Sequence, residues 1–107
     1  MIEIKATPKF MRLARKSMTP ESLQLLVDTL ALEPEKGVLI AGTNGIRKLR
    51  WATGKGGGKR GGLRALYYYS EECIVLLITL FKKGDRENIS TAEKAELRKL
   101  ITEQFGD

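Results

Sequence analysis

Between residues 47 and 69 the chain reads RKLRWATGKGGGKRGGLRALYYY, and the cations in it are Arg47, Lys48, Arg50, Lys55, Lys59, Arg60 and Arg64, with no acid among them. The whole protein carries a net charge of +6, so the remaining residues together sum to about zero. Clustered lysines and arginines hold phosphate, stabilise an anion that gains charge in a transition state, and make a crowded amine easier to deprotonate. The chemistry on offer is that of gripping a phosphate polymer. Composition narrows it further. With no histidine and a single cysteine, Cys73, the chain lacks a His-based acid/base pair, a Ser-His-Asp or Cys-His arrangement, and a zinc site of the usual ligands. Proton transfers would fall to Lys, Arg, Tyr, Glu or Asp.

Three readings of this segment stand side by side: a face for nucleic acid or another polyanion, a basic interface for an acidic protein, and a solvated hairpin loop. Solvation accounts for residues 54–62, which hold the glycines. It leaves Arg47, Lys48, Arg50 and Arg64 unexplained, because like charges on paired strands repel unless something anionic lies across them. Residues 56–61, GGGKRG, match G-x-G-x-x-G. That fingerprint must follow a strand and open a helix in a parallel unit, whereas here it separates two strands, so a nucleotide cofactor is not expected. No cofactor of any kind is required.

The elements that must position these cations follow from periodicity. The length of 107 residues suits one domain, 1–107. Residues 2–5, IEIK, alternate as a short strand, and Pro8 to Lys16 has a helical face in Phe10, Leu13 and Ala14. Thr19-Pro20-Glu21 is a helix start, and Leu23, Leu26, Val27 and Leu30 continue it until Pro34 and Gly37 stop it. The two helices suggest an antiparallel pair. Ile46 to Ala52 alternates with Ile46, Lys48, Arg50 and Ala52 on one face and Arg47, Leu49 and Trp51 on the other. Leu63 to Tyr69 is a second strand; Ile74 to Phe81, apolar on both faces, is a central third. Cys73, beside that run, is expected to be a small buried hydrophobe. Ser90-Thr91-Ala92-Glu93 is a capping box that opens a last helix. The expected fold is α+β: two N-terminal helices packed on a twisted antiparallel sheet, with a C-terminal helix. The opening residues lack the apolar run of a secretory signal and the longest apolar segment is too short to cross a bilayer, which points to the cytoplasm and away from a membrane.

The run GTNGIRKLRWATGKGGGKRGGLRALYYY, the apolar strand after it and then LFKKGDRENIS resemble the RelE/HigB-type toxins of bacterial toxin–antitoxin systems, over roughly residues 20–101. The resemblance implies a metal-independent endoribonuclease that cuts mRNA in the decoding site of the 70S ribosome. In that reaction the 2′-hydroxyl attacks the adjacent phosphate and leaves a cyclic phosphate. Carried over by position, Lys48 and Arg50 match the family's basic strand, Arg64 its arginine on the next strand, and Lys82 and Lys83 the basic pair ending the apolar strand. The resemblance makes Arg64 the phosphate stabiliser and Lys48 or Lys83 the base or acid, with Arg50 beside them. Arg47, Lys55, Lys59, Arg60 and Lys82 would grip rRNA or mRNA backbone. Phe81 stands where close relatives often have a tyrosine; its ring can stack on a base but cannot exchange a proton. An outward tyrosine of the triplet Tyr67, Tyr68, Tyr69 offers a second stacking surface. The implied partners are a cognate antitoxin, encoded adjacently and acidic or of helix-turn-helix type, together with the ribosome and mRNA. Two other functions fit the same residues: a ParE-like poison of DNA gyrase, and a non-catalytic RNA- or ribosome-binding module.

Overall fold

Every helix begins at a side chain that caps it. In the computed structural model, which describes residues 1–55, 62–84 and 89–106, α1 (Pro8–Ser17) follows Thr7, whose Oγ1 accepts from the Phe10 N–H at 3.0 Å. The same hydroxyl donates to the Ile78 carbonyl at 2.7 Å, pinning the start of α1 to the sheet. Helix α2 (Pro20–Leu32) repeats the device with Thr19, which accepts from the Ser22 N–H at 3.1 Å. Proline occupies the first helical position in both, where its missing N–H costs nothing. Helix α3 (Thr91–Phe105) carries the expected capping box, with Ser90 and Glu93 satisfying each other's backbone N–H groups.

Among the described residues five strands form one sheet in the order β1-β5-β4-β3-β2: β1 (Glu3–Ala6), β2 (Val38–Leu39), β3 (Ile46–Trp51), β4 (Leu63–Tyr69) and β5 (Ile74–Lys82). The hairpins β2–β3, β3–β4 and β4–β5 are antiparallel, but β1 pairs parallel to β5, so the sheet is mixed rather than wholly antiparallel. Tight turns impose antiparallel pairing only on sequence neighbours; β1 and β5 are separated by most of the chain and are free to run the same way. The two-residue β2 adds an edge strand to those expected, and Thr43 closes its turn onto β3 by donating to the Ile40 carbonyl and accepting from the Ile46 N–H.

Alternation along the strands splits the core in two. Leu49, Leu63, Ala65, Tyr67, Val75, Leu77 and Leu80 face α1 and α2, packing on Phe10, Ala14, Met18, Leu26 and Leu30. Ile46, Leu66, Leu76, Ile78 and Phe81 face the other way, under Leu97 and Ile101 of α3. A register shift between Leu66 and Tyr67 switches the parity of β5, which is how Leu77 and Leu80 come to share a face. Both faces of β5 are covered, as its continuous apolar run requires. The helices are seated chiefly on the sheet, α1 along β5 and α2 reaching β1, with Met18 and Thr19 joining them. Cys73 departs from expectation. It is exposed, in the β4–β5 turn at φ 63°, one residue before β5 begins and two before its buried run.

Candidate functional site

Strand pairing sets three of the expected site residues in a single row. Arg50 of β3 lies opposite Arg64 of β4, and Arg64 lies opposite Phe81 of β5. Directly opposed residues on neighbouring strands have Cβ atoms about 4.5–5.5 Å apart. Lys48 follows two residues along β3, on the same face, opposite Leu66. Lys83 stands in the turn just beyond β5, where its N–H donates to the Gly62 carbonyl at 3.0 Å, at the same end of the ladder. The α3 face of the sheet is thus divided. One end is apolar and roofed by Leu97 and Ile101; the other is cationic, with Arg50 exposed and Lys48 half-buried.

Arg64 is the inner member of the row, 8% exposed, and its Nη1 donates to the Leu63 carbonyl at 3.1 Å. A buried guanidinium held in a fixed pose is pre-organised to meet a phosphate, whereas Arg50 must give up freedom to do so. Phe81 is equally buried and belongs to the α3-side core, so its ring forms part of the floor beside Arg64. Of the tyrosine triplet, Tyr67 and Tyr69 face α1 and α2, and Tyr68, on the α3 side, rests against Phe105 with ring centroids 5.0 Å apart. The outward tyrosine therefore has a ring partner already.

The other expected residues fall elsewhere. Arg47 lies on the α1/α2 face, where Nη1 donates to the Glu35 and Gly37 carbonyls at 3.1 and 2.8 Å and Nη2 pairs with the Glu35 carboxylate at 3.5 Å. It works as a clamp on the chain between α2 and β2. Tyr67 completes that clamp by accepting from the Gly37 N–H and donating to the Pro34 carbonyl, both at 2.8 Å. Burial pushes the Tyr67 phenol above its usual range, opposed by the Gly37 hydrogen bond and the Arg47 charge. A Cβ on Gly37 would meet the Tyr67 ring at 2.9 Å, so only glycine permits the approach. Lys55 leaves the strand and donates from Nζ to the Lys16 carbonyl at 2.7 Å, at the C-terminus of α1. Lys82 is exposed and pairs with Leu63, which sets it on the α1 side of the sheet. Lys59 and Arg60 lie outside the described residues. Among the described residues no cluster of three His, Cys, Asp or Glu side chains could hold a metal ion, and no helix is long and apolar enough to cross a membrane.

One set of cations escaped the reading of the sequence: Lys9, Arg12, Arg15 and Lys16, all exposed on α1. Their signal was available, since residues 5–16 hold five bases and no acid. The helical face that predicts α1 draws attention to its apolar side and away from these.

A sheet with two helices on one face, a third on the other and a cationic row at the open end defines a class that comparison identifies. Residues 3–106 match the family described as the RelE toxin of the RelE/RelB toxin–antitoxin system, and the chain belongs to that family. A solved structure of the E. coli toxin RelE, a double arginine-to-alanine mutant in the free state, is similar in fold at a TM-score of 0.60 and 14% sequence identity. The match covers 89% of this chain and 95% of that one. The protein is a toxin of the toxin–antitoxin class.

Proposed function

We propose that this toxin inhibits translation as a ribosome-dependent endoribonuclease that cuts mRNA in the A site. The observation that carries the reading is the row of Arg50, Arg64 and Phe81 with Lys48 alongside and Lys83 at the ladder end. Cleavage through the 2′-hydroxyl forms a bond from that oxygen to phosphorus and breaks the bond from phosphorus to the 5′-oxygen. It needs a base for the hydroxyl proton, a donor for the leaving oxygen, and a cation for the charge gathering on the phosphate; no metal enters this scheme. Arg64 takes the stabilising role, helped by Arg50, and Lys48 and Lys83 exchange the protons. The ribosome contributes by holding the message in an attack-ready geometry, which lets a histidine-free protein run the reaction. A cognate antitoxin completes the system by covering the cationic row or keeping the toxin from the ribosome.

The test incubates purified protein with a defined mRNA, with and without programmed ribosomes, and maps new 5′ ends by primer extension. New ends only in the presence of ribosomes, absent with Arg64→Ala and with Arg50→Ala, are the expected result. Intact mRNA accompanied by double-strand DNA breaks in arrested cells would replace this reading with gyrase poisoning.

A further inference from the structure

The sheet ends on one side at β1, which among the described residues is paired along one edge only, to β5. The Glu3 N–H donates to the Cys73 carbonyl and the Thr7 N–H to the Leu77 carbonyl, both at 2.9 Å. The odd residues of β1 thus face β5 in the ladder, and alternation aims the N–H and C=O of Ile4 and Ala6 at the open edge. Side chains alternate as well. Ile2, Ile4 and Ala6 pack on the α1/α2 face, while Glu3 and Lys5 stand exposed on the other, with Lys5 Nζ 4.0 Å from a Glu3 carboxylate oxygen. Short length and charge ordinarily blunt an edge against pairing, and Lys5 by itself would do so. Two further features do not fit a blunted edge. Met1, just before the strand, is fully exposed. On the side of Glu3 and Lys5, a cleft of about 460 Å³ opens between the end of β1 and α3, with Thr7, Ile78, Leu97 and Leu100 in its walls.

We propose that β1 is an interface for a second copy of this chain, the two strands pairing antiparallel about a two-fold axis at Ile4 so that one sheet runs through both copies. In that register the strand is its own complement. Ile4 exchanges both backbone hydrogen bonds with the partner's Ile4, using the groups that the edge leaves open. Glu3 falls opposite the partner's Lys5 and Lys5 opposite the partner's Glu3, in the non-hydrogen-bonded pairs where side chains come closest. Four charges then alternate in sign around the axis. Ala6 falls opposite the partner's Ile2, and Thr7 opposite the partner's Met1. Met1 has the parity of Glu3 and Lys5, so its side chain lies on their face, at the mouth of the cleft beside the partner's Thr7. The register thereby gives the exposed thioether of each copy an apolar cleft on the other. A strand of another protein could use the same amides; the charge pattern, complementary to itself on reversal, and the spacing of Met1 select this chain. The row of Arg50, Arg64 and Phe81 stays open, because the β1 ladder reaches no farther along β5 than Leu77.

The experiment is sedimentation equilibrium of the full chain over a concentration series. Wild type should show a reversible equilibrium between monomer and dimer. Lys5→Glu sets acid against acid across the axis, and Glu3→Lys sets base against base. Each change acts at both pairs and should weaken the dimer about tenfold. Equimolar mixing of the two single variants returns opposite charges to every pair, so a heterodimer should form with close to wild-type affinity. The double variant, Glu3→Lys with Lys5→Glu, should recover as a homodimer. Recovery on mixing separates a lost contact from a lost fold. Lys5→Gln and Glu3→Gln, which remove charge without reversing it, serve if a reversal unfolds the chain, and should weaken the dimer by a smaller factor. A wild type that stays monomeric at every concentration would overturn the proposal. So would single variants that associate as tightly as wild type, or a mixture no tighter than its components, which would place the contact elsewhere. Protection of the Ile4 amide from hydrogen exchange only when a different protein is added would assign the edge to that partner instead. The measurement reads mass, so it stands whether or not any mRNA is cut.

Discussion

Strands β3 and β4 carry two chemistries on their two faces, one residue apart. Arg47, Leu49, Trp51, Leu63, Ala65 and Tyr67 point to α1 and α2, where even the polar groups are used to hold the fold: Arg47 and Tyr67 grip Gly37, and Trp51 Nε1 donates to the Ser22 carbonyl at 3.0 Å. Lys48, Arg50 and Arg64 point to the opposite face, where Arg64 is buried, Lys48 half-buried and Arg50 exposed. A period of two separates the fold-holding groups from the proposed site within a single hairpin. The teaching is that a positive charge here has no fixed meaning: Arg47 and Lys48 are neighbours, and one clamps the α2–β2 connection while the other lies on the opposite face beside Arg50 and is proposed to meet RNA.

That contrast can be broken experimentally. The largest effect belongs to the structural face: Phe10→Ala, which empties a fully buried site, should cost about 3–5 kcal/mol in a denaturant titration. Arg50→Ala should lower cleavage by about 100- to 1000-fold while leaving the unfolding midpoint within error. If Arg50→Ala unfolds the protein, the division between faces is mistaken. Tyr67→Phe removes the acceptor for the Gly37 N–H and should cost about 1–3 kcal/mol with little change in kcat. The same variant sharpens the comparison through pH. Because the folded phenol titrates above its usual value near 10, stability is level below that pH. Above it the unfolded chain releases the proton first, and stability falls as pH rises. Wild type should therefore lose more stability than Tyr67→Phe as the pH rises above about 10, in thermal melts compared side by side. The smallest effect, about 1 kcal/mol, is expected for Ser90→Ala at the start of α3, read by the same melts.

Legibility in the sequence followed the range of the interaction. Thr19-Pro20 and Ser90 to Glu93 announce their helices because capping is a contact within four residues. The alternation of Ile46 to Trp51 was readable, and with it the facing of Lys48 and Arg50. Arg64 emerged as a candidate from its resemblance to a family position, and its burial did not. Lys55 and Lys82 were expected at RNA, yet nothing local said that they lie across the sheet from Arg64. Cys73 was misjudged because the apolar run next to it gives no sign of where the turn ends.

The sequence alone determined the amounts: the charge, the absence of histidine, the alternation of β1 and β3, and the caps that start α2 and α3. These are sums or short-range patterns, and no fold is needed to count them. Tertiary structure alone decided the relations. It set β1 parallel to β5, put Arg50, Arg64 and Phe81 in register, and shifted the parity of β5 between Leu66 and Tyr67. It also sent the cations to two faces. Register and facing depend on pairing between residues far apart in the chain, where a slip of one residue turns a site into a core.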